Sequence, residues 1–219
     1  MRPINQNQLS SYALATIAAL LLSACAGNPT GSDTSGIDAE PVAEGEIPQR
    51  VATPNPYLAE AASVPGAAQQ ALANARGYFE QQQFGAAETE LQQVVTQWPQ
   101  LSGAWLNLAK VQLKLEQPEQ AEASLRQAVT ANPKNVFAWN SLGVLLRDLG
   151  RFDEAQQAYE NALQQWPDFA MGHRNLGILF DLYLHQPERA LHHYREARAL
   201  EAEADRVLAG WIMDLERRL

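Results

Sequence analysis

The chain has 219 residues, 46% of them hydrophobic and 19% charged, with a formal charge of −9 and a pI near 4.9. That acidity argues against nucleic acid as a partner, because phosphates need a basic surface. A single cysteine excludes an internal disulfide.

The amino-terminal segment carries Arg2 and then an eleven-residue apolar run, Tyr12 to Leu22. A helix needs about 20 apolar residues to cross a hydrocarbon core, so the run fits the apolar part of a secretory signal instead. It ends in Leu22-Ser23-Ala24-Cys25, which resembles the lipobox of bacterial lipoproteins. The resemblance implies a signal peptide over 1–24 and lipid on the Cys25 thiol, with a third acyl chain on its nitrogen. Two or three acyl chains hold a protein at a bilayer almost permanently, where one binds marginally. Ala26 follows the cysteine in place of Asp, which by resemblance to the enterobacterial sorting rule implies the periplasmic face of the outer membrane. The alternatives are an ordinary cleaved signal or a buried helix with an incidental cysteine.

Residues 25–65 hold six of the twelve prolines and six acids against one base. Few large apolar side chains occur there, so burial would not offset the entropy of ordering. The composition predicts a disordered tether. About 40 residues of coil reach roughly 35 Å end to end.

Beyond it, residues recur at a step of 34: Pro99, Pro133 and Pro167; Trp105 and Trp139; Leu108, Leu142 and Leu176; Ala109, Gly143 and Gly177; Ala87, Ala121 and Ala155. Leu91, Leu125 and Tyr159 make a further column. Columns sharing one period mark a supersecondary piece that buries its apolar face only by stacking on copies of itself. In the clearest unit, 136–169, Leu142, Leu146 and Leu149 line one helical face, Gly150 ends that helix, and Pro167 forbids continuation of the second. These positions resemble the tetratricopeptide repeat. That resemblance implies an all-α, right-handed helical-hairpin solenoid of about four units over 66–202, namely 68–101, 102–135, 136–169 and 170–202. The second unit departs from the pattern at Gln112 and Pro118, and the fourth carries a one-residue insertion before Ala190, Tyr194 and Ala197. Residues 203–219, with Val207, Leu208, Trp211, Ile212, Leu215 and Leu219 on one stripe, predict a capping helix; a helix presented to a partner is the other reading.

In this family the first helix of each hairpin lines a concave groove. Mapped residue by residue, the resemblance places Arg76, Phe79, Asn107, Lys110, Lys114, Phe137, Asn140, Arg147, Arg174 and Asn175 there. Five of these are cations, although the chain is acidic. Asn107, Asn140 and Asn175 offer amides that grip a peptide backbone without reading its side chains. The expectation is a groove for protein segments with apolar and acidic groups; solvated groove residues are the alternative. No phosphate loop, nucleophile elbow or paired metal-ligand motif occurs in the sequence. The reading is therefore a non-enzymatic scaffold with no cofactor, no metal and no small-molecule substrate. It resembles lipoproteins that assist envelope assembly, such as type IV pilus and secretin biogenesis. Adaptors for peptidoglycan hydrolases and accessory proteins of energised inner-membrane complexes are the alternatives.

Overall fold

The computed structural model describes residues 49–59, 64–201 and 205–219, all within one compact unit. The expected signal, Cys25 and the expected tether up to residue 48 lie outside the described residues. A single turn, α1 (Pro56–Ala59), precedes α2 (Gly66–Glu80), α3 (Phe84–Gln97), α4 (Ser102–Lys114) and α5 (Pro118–Ala131). Then come α6 (Val136–Asp148), α7 (Phe152–Gln165), α8 (Ala170–Ile178), a π-helical turn (Leu179–Tyr183), α9 (Pro187–Leu200) and α10 (Arg206–Arg218). Among the described residues there is no strand, and no helix is long and apolar enough to cross a membrane. The helices pair as α2–α3, α4–α5, α6–α7 and α8–α9, each pair packing on the next, which is the helical-hairpin solenoid.

The first three hairpins close alike, and the fourth is a variant of them. One residue enters the left-handed region: Gln82 (φ 60°), Glu116 (φ 59°), Gly150 (φ 76°) and His185 (φ 51°). The following N–H reaches back to the last turn of the first helix: Gln83 to Tyr78 O at 2.8 Å, Gln117 to Gln112 O at 2.9 Å and Arg151 to Leu146 O at 2.9 Å. These are Schellman closures, and only Gly150 adopts the conformation without a Cβ penalty. In the fourth unit the bond runs one residue further, from Gln186 N to Phe180 O at 2.8 Å. The inserted residue is absorbed by the π-helical turn, which is how a helix accommodates a single extra residue. Ala190, Tyr194 and Ala197 therefore stay in the core despite their shift in sequence.

The core is a sequence of matched pairs between the two helices of a hairpin. Leu91 and Leu125 are buried, as are Ala75 and Ala109 at the facing column. In the next two units the facing residues become Gly143 with Tyr159 and Gly177 with Tyr194, both tyrosines at most 1% exposed. Trp105 Nε1 donates to Pro99 O at 2.8 Å and Trp139 Nε1 to Pro133 O at 2.9 Å, tying each unit to the end of the previous one. Gln112, which replaces an aromatic, is buried and accepts from Ser124 Oγ at 2.7 Å, so its polarity is satisfied.

The carboxyl-terminal helix caps the array. Leu208, Ile212 and Leu215 of α10 are buried, and Trp211 meets Tyr194 with ring centroids 5.3 Å apart. Val207 and Leu219, read on the same stripe, are 58% and 56% exposed. Val207 lies about 100° around the helix from Leu208 and Leu219 follows its end, so neither reaches the seam.

Residues 49–59, assigned to the tether on composition, are instead docked as a strap. Arg50 N donates to Ala199 O at 2.6 Å, and its guanidinium pairs with Asp168 at 2.9 Å and Glu196 at 3.0 Å. Thr53 N and Oγ1 donate to Asp168 at 2.8 and 2.7 Å, while Trp166 Nε1 donates to Thr53 O at 3.0 Å. Tyr57 packs edge-on against Phe137 with centroids 6.3 Å apart. Composition argued that this stretch has few large apolar side chains; polar fasteners, with the Tyr57 ring contact, hold it.

Candidate functional site

The first helices α2, α4, α6 and α8 carry all ten residues expected in the groove. The structure divides them into two groups with different surroundings.

Between α2, α3 and α4 lies a cavity of about 290 Å³ lined by Leu72, Ala75, Arg76, Phe79, Leu91, Asn107, Lys110 and Val111. Four of the expected residues, Arg76, Phe79, Asn107 and Lys110, thus meet at one place. Phe79 is held edge-on by Phe84 with centroids 5.4 Å apart, which fixes the apolar wall. Arg76 and Lys110 are exposed and make no ion pair among the described residues, and Asn107 has no side-chain hydrogen-bond partner there. Lys114 follows one turn later on α4, equally exposed and unpaired among the described residues. Unpaired cations and a free amide thus stand beside an apolar floor.

The other half spends its polar groups internally. Asn175 Nδ2 donates to Asn140 Oδ1 at 2.8 Å, and Asn140 is only 6% exposed, so this amide pair links neighbouring units and leaves little for a peptide. Arg147 is held by its neighbour Asp148 at 2.9 Å and lies over the Tyr183 ring. Arg174 is captured by the carboxyl-terminal helix and its approach: it pairs with Asp205 and Glu201 and sits over Trp211, 5.8 Å from the ring centre. Burial, partly offset by Arg174, holds the Glu201 carboxyl above its usual range. Phe137 sits between Tyr57 of the strap and Phe169, 5.7 Å from the latter, so it belongs to the strap contact and a seam.

A second cavity, about 560 Å³, opens between the π-helical turn and α10 and is lined by Ile178, Asp181, Leu182, Tyr194, Trp211 and Arg218 among others. Sequence reasoning missed it. Its one visible signal was the insertion in the fourth unit, beside the apolar stripe of the cap.

Of the histidines, His173 stands where the second and third units have tryptophan and does the same job. Its Nε2 lies 2.9 Å from Pro167 O, which requires a proton on Nε2. Its Nδ1 lies 3.0 Å from His193 Nδ1. With both rings neutral, His193 is then the donor. Burial lowers both basicities, most strongly for His193, down to about 3. Among the described residues, no group of three or more His, Cys, Asp or Glu is disposed to hold a metal.

The profile of the tetratricopeptide repeat matches residues 72–136, 106–167 and 140–181 in overlapping windows. No curated protein matches the sequence. Among solved structures, PilF of Pseudomonas aeruginosa is similar with 23% identity and a TM-score of 0.62, covering 69% of this chain and 68% of that one. YrrB, a tetratricopeptide protein described with an unusual peptide-binding site, is 24% identical with a TM-score of 0.56, covering 68% of this chain and 75% of that one. MamA is 17% identical with a TM-score of 0.55, covering 74% of this chain and 83% of its own. At these identities the likeness concerns the fold.

Proposed function

Since the chain belongs to the tetratricopeptide repeat family, whose profile spans half of it, we propose that it is an anchored adaptor that captures an acidic, apolar segment of another envelope protein. The observation that carries this reading is the pair of unpaired cations, Arg76 and Lys110, beside the cavity walled by Leu72 and Phe79. An isolated cation exposed beside apolar surface gains from a carboxylate more than a paired one does, since no existing partner must be given up. The ligand chemistry is therefore a short segment with at least one carboxylate and an aliphatic or aromatic side chain next to it, bound across the first two units.

The anchor is part of the same proposal: lipid on Cys25, with residues up to 48 as the leash, holding the domain at the periplasmic face of the outer membrane. Type IV pilus and secretin assembly is placed first among envelope roles because of the likeness to PilF; recruitment of cell-wall enzymes is second.

Two experiments test the proposal separately. Arg76→Glu/Lys110→Glu is expected to weaken binding of a fluorescent acidic–leucine peptide by about tenfold or more, as two reversed charges contribute 1–3 kcal/mol, with unchanged helical circular dichroism. Arg147→Glu should change it far less, because Arg147 is already paired. Equal loss in both variants would sink the assignment to the first two units. Radioactive palmitate is expected to label the wild-type chain in cells and to leave Cys25→Ser unlabelled; an unlabelled wild type would remove the anchor and leave the groove reading intact.

A further inference from the structure

Two features described above adjoin one another and have no part in the groove. The strap is fastened at Asp168 and Glu196 by Arg50. Asp168 follows directly on Pro167, whose carbonyl holds His173. Glu196 stands on α9 one turn from His193 and one turn from His192. The fastening of the strap and the buried histidine pair thus share the same few residues at the seam between the third and fourth units.

We propose that the strap and the histidine pair form one proton-linked latch, in which a proton on His173 favours release of residues 49–59 and docking of the strap keeps His173 neutral.

The charged neighbours of His173 come from two elements. From α9 it faces His193, His192 and Glu196; from the strap it faces Arg50. His193 in turn faces His192 and Arg189, the latter lying 3.8 Å above the Phe180 ring against which His193 stacks. Glu196 favours the protonated form of His173, while Arg50 and the other histidines disfavour it, and burial adds to the disfavour. While docked, Arg50 acts twice: it places a positive charge near the ring and it occupies Glu196, the one nearby anion that favours the imidazolium. When the strap leaves, the cation goes with it and Glu196 becomes available to His173. The undocked state therefore binds a proton more tightly than the docked state. By linkage, falling pH must shift the equilibrium toward the undocked state, and strap docking must lower the basicity of His173 by the same factor.

The hydrogen-bond pattern limits how much protonation the docked state tolerates. A proton on His173 Nδ1 meets the Nδ1–H of His193, so His193 must move its own proton to Nε2 for the pair to stay bonded. A second proton, which makes both rings cationic, sets two N–H groups against each other across 3.0 Å. His173 cannot turn away without giving up Pro167 O, and the loop of Pro167 and Asp168 carries the strap's main fastening. The Pro167–Asp168 loop is thus where the ring and the strap are joined.

The latch is read directly by amide exchange of the full chain, because the N–H groups of Arg50 and Thr53 are bonded to Ala199 O and to Asp168. After correction for intrinsic rates, the opening equilibrium at these two amides is expected to rise about threefold to tenfold between pH 7 and pH 5. Amides of α4 and α6 are expected to remain far more protected than these two at both pH values. His173→Trp, which restores the indole used against Pro133 in the preceding unit, is expected to make strap opening independent of pH. Should that variant fold poorly, Arg50→Gln removes the cation and its two ion pairs without touching the core, and its His173 ring is expected to titrate higher than the wild type by nuclear magnetic resonance. Asp168→Asn is expected to open the strap at both pH values. An opening equilibrium that does not change with pH, or an unchanged His173 titration in Arg50→Gln, would overturn the proposal.

Discussion

Gly143→Ala is expected to destabilise the fold by about 2 kcal/mol, although alanine is the better helix former by about 1 kcal/mol. A Cβ at this position would lie 2.5 Å from Cε1, 2.7 Å from Cδ1 and 2.9 Å from Cζ of Tyr159. These are atoms of a rigid ring, and Tyr159 is fully buried, so the ring has nowhere to swing. Overpacking of this kind costs 1–3 kcal/mol and overrides propensity. The second unit shows how the clash is relieved: there the column holds Ala109, and the facing residue is Leu125, both without exposed surface. The double variant Gly143→Ala/Tyr159→Leu copies that pair into the third unit. It is expected to be more stable than either single variant, with a coupling of about 1–2 kcal/mol in urea denaturation. Additive losses would mean that the glycine and tyrosine are not a matched pair.

Acid should weaken the fold well before its carboxylates titrate. Burial depresses His173 and His193 below the usual histidine value of about 6.5, His193 to about 3. Below pH 6.5 the unfolded chain takes up protons that the folded chain refuses, so stability is full above that value and falls as pH drops toward 3. At pH 5 the distance is about 1.5 units, and at 1.36 kcal/mol per unit His193 alone removes about 2 kcal/mol. His173 adds in the same direction. Denaturant midpoints at pH 7.5 and pH 5.0 measure this. His193→Phe, whose ring can keep the stack on Phe180, is expected to lose most of the difference. Equal stability of the wild-type chain at the two pH values would show that the pair is not held neutral.

Repeat architecture was legible because burial acts locally and periodically. Each of Leu108, Leu142 and Leu176 faces the same kind of neighbour, so the same residue recurs at a fixed step. His173 falls in the tryptophan column, and its bond to Pro167 O follows from that place. The polar residues of the expected groove were half legible. Position in the repeat puts Asn140, Asn175 and Arg174 on the first helices, but whether a polar group is free depends on who else arrives. Asn140 and Asn175 are 35 residues apart and meet across a seam. Arg174 is claimed by Asp205, which belongs to no repeat. Arg76 and Lys110 remain free among the described residues. The strap was illegible from composition, because its attachment rests on a few long-range bonds to Asp168, Glu196 and Ala199 more than on apolar content.

The π-helical turn changes what the last unit can do for its neighbour. The added residue brings Tyr183 beside Phe152, with ring centroids 5.0 Å apart, and under the Arg147 guanidinium at 5.9 Å. An insertion that ordinarily spoils a helix has become a bolt between consecutive modules. Excising one residue there would restore the common 34-residue spacing and at the same stroke unscrew the third module from the fourth. Uniformity of pitch and tightness of that joint are alternatives in this protein, and the chain has taken the joint.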